Sequence, residues 1–150
     1  MDEQAFNRYL EERYNDEVKY YNKKSGECKK WNQRFQVTII VLSAITPVLA
    51  ILDNKIFNIE TKFLTTVVAS IVAIASSVSK FMKYEENWVT YRSVCESLTR
   101  EKYLMEAGIS EYARCTDNES KYKLFVERAE SIMSKESGLW LTSASSKNTK

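Results

Sequence analysis

Between Arg34 and Asp53 the chain carries no charged residue, and between Lys62 and Lys80 it again carries none. The first run, Phe35 to Leu52, reads FQVTIIVLSAITPVLAIL, and the second, Phe63 to Ser79, reads FLTTVVASIVAIASSVS. As helices of about 18 and about 17 residues, they measure roughly 27 and 25 Å, close to the hydrocarbon thickness of a bilayer. Helices buried in a soluble core usually keep a polar face, and neither run supplies a charge for one. Flanking lysines and arginines can reach the headgroups, and Trp31, Phe35, Phe63 and Phe81 stand where aromatic rings favour the interface. Two such runs in tandem predict a transmembrane hairpin.

The rest of the chain is charged and helical in period. Leu10, Tyr14, Val18, Tyr21 and Cys28 mark one face of an amphipathic helix over 1–34, weakened only at Ser25-Gly26. After the second run, Tyr84, Trp88, Tyr91, Cys95, Leu98 and Met105 keep one apolar face, and Gly108 is the natural terminator. Residues 63–107 therefore read as one helix of about 45 residues, close to 70 Å long. Cys115 to Asn118 reads as a loop with an N-cap. A last helix over 118–138 turns Tyr122, Phe125, Val126, Ala129, Ile132 and Met133 inward, and Gly138 closes it. With three glycines and one proline in 150 residues, short strands have few turns to work with.

The expected fold is all-α: an integral membrane hairpin of two transmembrane helices extended by long cytoplasmic helices, four helices in all. Its parts are a cytoplasmic helix 1–34, spans 35–52 and 63–79, an external connector 53–62, a cytoplasmic continuation 80–107, the helix 118–138 and a disordered tail 141–150. Lys19, Lys23, Lys24, Lys29, Lys30 and Arg34 precede the first span, and Lys80, Lys83 and Arg92 follow the second. The connector holds only Lys55 and Lys62. The positive-inside rule then places both termini in the cytoplasm, with the protein in the cell's inner membrane. The acidic start, Met1-Asp2-Glu3-Gln4, does not resemble a cleavable signal peptide.

Catalytic constellations are missing. The chain has no histidine, which removes the commonest general base and metal ligand. Cys28, Cys95 and Cys115 lie far apart without zinc or redox spacing. Carboxylates sit on helix faces near basic partners, as Glu96 does four residues before Arg100. No catalytic residue, metal or cofactor is expected. A net charge of +2 does not point to nucleic acid.

The second span carries a stripe of small and hydroxylated residues, Thr66, Ser70, Ala73 and Ser77, continued by Lys80 at heptad-like offsets. In lipid such a stripe serves either as a helix-packing seam or as the water-lined face of an oligomeric pore with Lys80 at its mouth. No carboxylate lies in either span, so an acidic cation-selective ring is not indicated. Pro47 removes a backbone donor and frees the carbonyl of Ser43, which predicts a local kink with Ser43 and Thr46 placed to compensate. Trp88, Tyr91, Arg92, Glu96 and Tyr103 read as the core of the cytoplasmic bundle, with Arg92 stacked on a tyrosine or paired with Glu12 or Glu17.

Asn87-Trp88-Val89-Thr90-Tyr91-Arg92, then Glu96-Ser97-Leu98, Arg100-Glu101-Lys102-Tyr103, Gly108 and Tyr112, resembles the signature of SLATT-type domains, a bacterial two-transmembrane family of unknown function. The final helix with Trp140 and the mid-segment proline fit as well, so the resemblance covers roughly Asn7 to Trp140. It implies a membrane effector, pore-forming in the family's proposed role, that accompanies nucleotide-second-messenger synthetases or sensors in bacterial defence. It implies no catalytic residue. The expected partners are the lipid bilayer, further copies of the chain and such a sensor or synthetase. The expected function is an oligomeric pore or channel-like effector; the rival is a non-conducting membrane adaptor that recruits a cytoplasmic partner.

Overall fold

The computed structural model describes residues 1–51 and 61–145, with side chains for all of these except 61 and 136–145. Among them every regular element is helical: α1 (Glu3–Tyr9), a π turn (Leu10–Tyr14), α2 (Asn15–Ile51), α3 (Thr61–Met82), α4 (Tyr84–Ala107), a 3-10 turn (Ser110–Arg114) and α5 (Asn118–Ser145). These join end to end into three runs, Glu3–Ile51, Lys62–Arg114 and Asn118–Ser145, which corrects the expected count of four. The physical reason is plain. A change from polar to apolar side chains at Arg34 and Phe35 does not interrupt the backbone ladder, and Ser25-Gly26 does not break it either.

Two compact units divide the chain: Met1–Ser25 with Val89–Lys150, and Gly26–Trp88. In the first, the core is built from Phe6, Tyr14, Tyr21, Cys95, Leu98, Met105, Tyr112, Phe125, Ala129 and Met133. Phe6 stacks on Tyr122 at 4.1 Å and meets the Phe125 ring edge-on at 5.7 Å. Phe6 and Tyr14 are eight residues apart, roughly 80° off one face in a regular helix. The π turn absorbs one residue and brings them to within roughly 20° of each other, so both reach the core. Tyr14 then donates its hydroxyl to the Leu98 carbonyl at 2.7 Å. Asp117 caps α5, accepting the Ser120 amide at 2.9 Å.

α4 ends as a Schellman motif: the Gly108 amide donates to Met105 O at 3.1 Å and the Ile109 amide to Leu104 O at 3.2 Å. Gly108 sits at φ +65°, with nothing near where a Cβ would project. Gly108→Ala is therefore expected to destabilise this unit by about 1 kcal/mol through backbone strain alone. Denaturant unfolding checks this; no loss would mean that the helix end adjusts freely.

The single helix expected over 63–107 is interrupted. Lys83 adopts φ +50° between α3 and α4, a left-handed conformation unusual for a residue with a Cβ. Asn87 secures the break: its amide donates to Lys83 O at 2.9 Å and its side-chain Nδ2 to Met82 O at 3.2 Å. At the other end, α5 passes Gly138 and continues to Ser145, so 141–145 are helical where a disordered tail was expected. One glycine inside a helix costs only about 1 kcal/mol and need not end it. Residues 146–150 and most of the connector, 52–60, lie outside the described residues.

In the second unit the partly buried positions of α2 from Asn32 onward are Asn32, Phe35, Ile39, Leu42, Thr46 and Leu49. Those of α3 include Thr65, Val68, Val72, Ala75 and Ser79. Both sets step by three and four, the spacing of helices packed side by side with a slight supercoil. Every other described side chain of the first run is exposed, including Val37, Ile40, Val41, Val48 and Ile51. α2 is unbroken through Pro47, and the Thr46 hydroxyl bonds the Leu42 carbonyl at 2.8 Å rather than the Ser43 carbonyl that proline frees.

Candidate functional site

No residue of either apolar window is buried within the chain. Both are long and apolar enough to cross a membrane. A monomer in water would expose Ile40, Ile51, Phe63, Ile74 and Phe81 among many other large apolar side chains, more than soluble proteins usually show.

On α3 the hydroxyl stripe lies away from the half that is covered. Thr66, Ser70, Ala73, Ser77 and Lys80 are all exposed, and at 100° per residue they centre roughly 130° from the stripe of Thr65, Val68 and Val72. Within the protomer the stripe is thus not the seam of the hairpin. Its hydroxyls are satisfied along the helix: Thr66 donates to Lys62 O at 2.9 Å, Ser70 to Thr66 O at 2.8 Å and Ser77 to Ala73 O at 2.8 Å. Each oxygen keeps lone pairs for a further donor, so the face tolerates either a close-packed helix or water.

An aromatic collar closes the charged end of this unit. Tyr84 stacks on Trp31 at 6.5 Å and on Phe35 at 5.8 Å. Arg34 lies over the Trp31 ring at 5.5 Å and Lys29 over Trp88 at 5.8 Å. Such rings and cations are the usual furniture of a bilayer interface.

Of the residues expected to form the bundle core, Tyr91 packs against it and Arg92, Glu96 and Tyr103 are exposed. Tyr91 is partly buried, 6.2 Å from Tyr21. Arg92 is exposed and pairs with Glu96 at 2.6 Å, not with Glu12, Glu17 or a tyrosine face, and Glu96 pairs with it rather than with Arg100. Tyr103 is 66% exposed. Trp88 belongs to the other unit. The physical reason for Tyr103 is its position, roughly 140° round α4 from Leu98.

Sequence reasoning missed the polar centre of the bundle. Glu101 is 5% exposed, accepts the Tyr112 hydroxyl at 2.6 Å and is ion-paired with Arg128 Nε. Arg128 Nη1 also pairs with Glu111 at 2.6 Å, which ties α4, the 3-10 turn and α5 together. The signal was available: Glu101 stands between Leu98 and Met105 on the apolar face, where a carboxylate needs a partner. Burial, reinforced by Glu101, raises the Tyr112 phenol, and burial, with the nearby Cys95, Glu106 and Glu101, pushes Tyr14 up to about 12. Tyr9 donates to Glu130 at 3.0 Å, and the hydrogen bond from Arg13 holds Glu130 below its ordinary value. These shifts keep the phenols of Tyr14 and Tyr112 neutral and Glu130 ionised. Among the described residues no three His, Cys, Asp or Glu stand together as metal ligands.

A family model described as "Protein of unknown function (DUF4231)" matches residues 16–120, a stretch that takes in both apolar runs and α4. No curated protein and no solved structure matches the chain. With 16–120 of its 150 residues matched, the chain belongs to the uncharacterised family DUF4231.

Proposed function

We propose that the chain is a multi-pass protein of the cytoplasmic membrane, with both termini inside, whose copies assemble into a pore or channel-like effector. The observation that carries this reading is that neither apolar window holds a buried residue. Lipid is the solvent that makes such a surface stable. The cations before residue 35 and after residue 79 support the orientation. Two spans cannot enclose a conduit, so several copies are needed, and the uncovered face of α3 is the surface through which they meet. The resemblance to SLATT-type domains supports the same role in bacterial defence. In that reading a nucleotide-second-messenger sensor or synthetase acts as the activating partner.

An adaptor that recruits a cytoplasmic protein is the second reading. It is favoured by one feature, an open groove of about 710 Å³ between Val18–Asn22 and Arg92–Ile109, lined by Val18, Leu104 and Ile109 and edged by Arg92 and Arg100. Ion flux from liposomes holding the purified chain separates the two. Wild type is expected to conduct, and Ser70→Phe with Ser77→Phe to reduce flux about tenfold or more by filling the stripe. Silence of the wild type under every condition, or unchanged flux in the variant, rules out the pore.

A further inference from the structure

At the head of the first apolar run, α2 carries a cleft of about 390 Å³ lined by Lys30, Gln33, Arg34, Val37 and Thr38. Lys30 and Arg34 are the last two cations before the uncharged stretch, and Val37 already belongs to it. Neither cation makes an ion pair among the described residues, and both are exposed. Between Gly26 and Thr38 the sequence offers one carboxylate, Glu27, a turn further from the apolar run. Arg34 is not loose: its guanidinium lies over Trp31, which is itself stacked on Tyr84. The cleft thus presents two uncompensated cations, a side-chain amide and a hydroxyl directly above an exposed valine face that continues to Val41.

We propose that this cleft is a headgroup site for an anionic phospholipid. The proposal rests on the membrane-spanning reading above. A phosphodiester oxygen pair suits the fork of Arg34 and the ammonium of Lys30, while Gln33 and Thr38 can donate to a glycerol or a further phosphate oxygen. A free inorganic anion would use the same cations but has nothing to lay against Val37 and Val41. A lipid does, because its acyl chains run down the helix from the headgroup. Charge and apolar surface meet at one cleft, and the lipid is the partner that carries both.

The test uses the full chain in neutral detergent, titrated with phosphatidylglycerol and separately with phosphatidylcholine, with bound lipid counted by native mass spectrometry. Phosphatidylglycerol is expected to be retained in preference. Lys30→Gln with Arg34→Gln is expected to weaken that binding about thirty-fold, since each cation near a lipid surface contributes about fivefold. Lys30→Arg with Arg34→Lys keeps the charge and should bind within about threefold of wild type. Lys19→Gln with Lys23→Gln, further up α2, should leave it unchanged. Equal retention of the two lipids overturns the proposal, as does unchanged binding by the neutralised variant. Displacement of phosphatidylglycerol by inorganic phosphate at equal concentration also overturns it, because it marks a simple anion site. A chain that stays membrane-bound yet ignores lipid charge defeats this site alone. A chain washed off membranes defeats the spanning reading on which it stands.

Discussion

Replacing Arg128 with methionine is expected to destabilise the bundle of Met1–Ser25 and Val89–Ser145 by about 3 kcal/mol. Removing one member of a buried ion pair typically costs about 3–5 kcal/mol, because the remaining charge is left without compensation. The lower end applies here, since the Arg128 side chain is 36% exposed and water can reach part of the site. Glu101 would keep only the Tyr112 hydroxyl as a partner. Adding Glu101→Gln to Arg128→Met should recover most of the loss: the amide oxygen still accepts from Tyr112 and no charge is buried. Denaturant unfolding of the four proteins of this cycle in detergent gives the coupling, expected to exceed about 1 kcal/mol. A loss below about 1 kcal/mol for Arg128→Met would mean that the pair is solvated and holds nothing together.

Ile71→Arg carries the second large effect, and its sign separates two environments. Ile71 sits near the middle of the second run and is 46% exposed. In water, arginine at an exposed helical position is nearly neutral and improves solubility. In lipid, a cation at the centre of a span costs about 2.5–3.5 kcal/mol of insertion free energy. The variant is therefore expected to leave the membrane fraction or be degraded, while Ile71→Leu behaves as wild type. Fractionation of cells expressing each reads the outcome. An arginine variant that accumulates normally and becomes more soluble contradicts a lipid-facing Ile71.

Much of the helical layout was legible because apolar spacing dictates which faces meet. Tyr14 and Tyr21 in the first helix, Cys95, Leu98 and Met105 in α4, and Phe125, Ala129 and Met133 in α5 are buried as their period requires. Gly108 ends α4 because a glycine accepts the positive φ of a Schellman turn. The errors share a cause. Trp88, Arg92, Glu96 and Tyr103 lie close to the core positions in sequence, but burial follows angular position on α4. The partners of Glu101 arrive from α5 and the 3-10 turn, distant in sequence. The π turn at Leu10–Tyr14 and the left-handed Lys83 involve no glycine or proline, so no residue type announces them. On α3 the stripe itself was visible, but its separation from the covered half of the helix needed the packing of α2.

Everything functional depends on those uncharged stretches being dissolved in lipid. Extraction of cell membranes with alkaline carbonate tests this most directly. The account predicts that the full chain stays in the pellet and is released only by detergent. Recovery in the detergent-free supernatant, as a dispersed monomer, would contradict it.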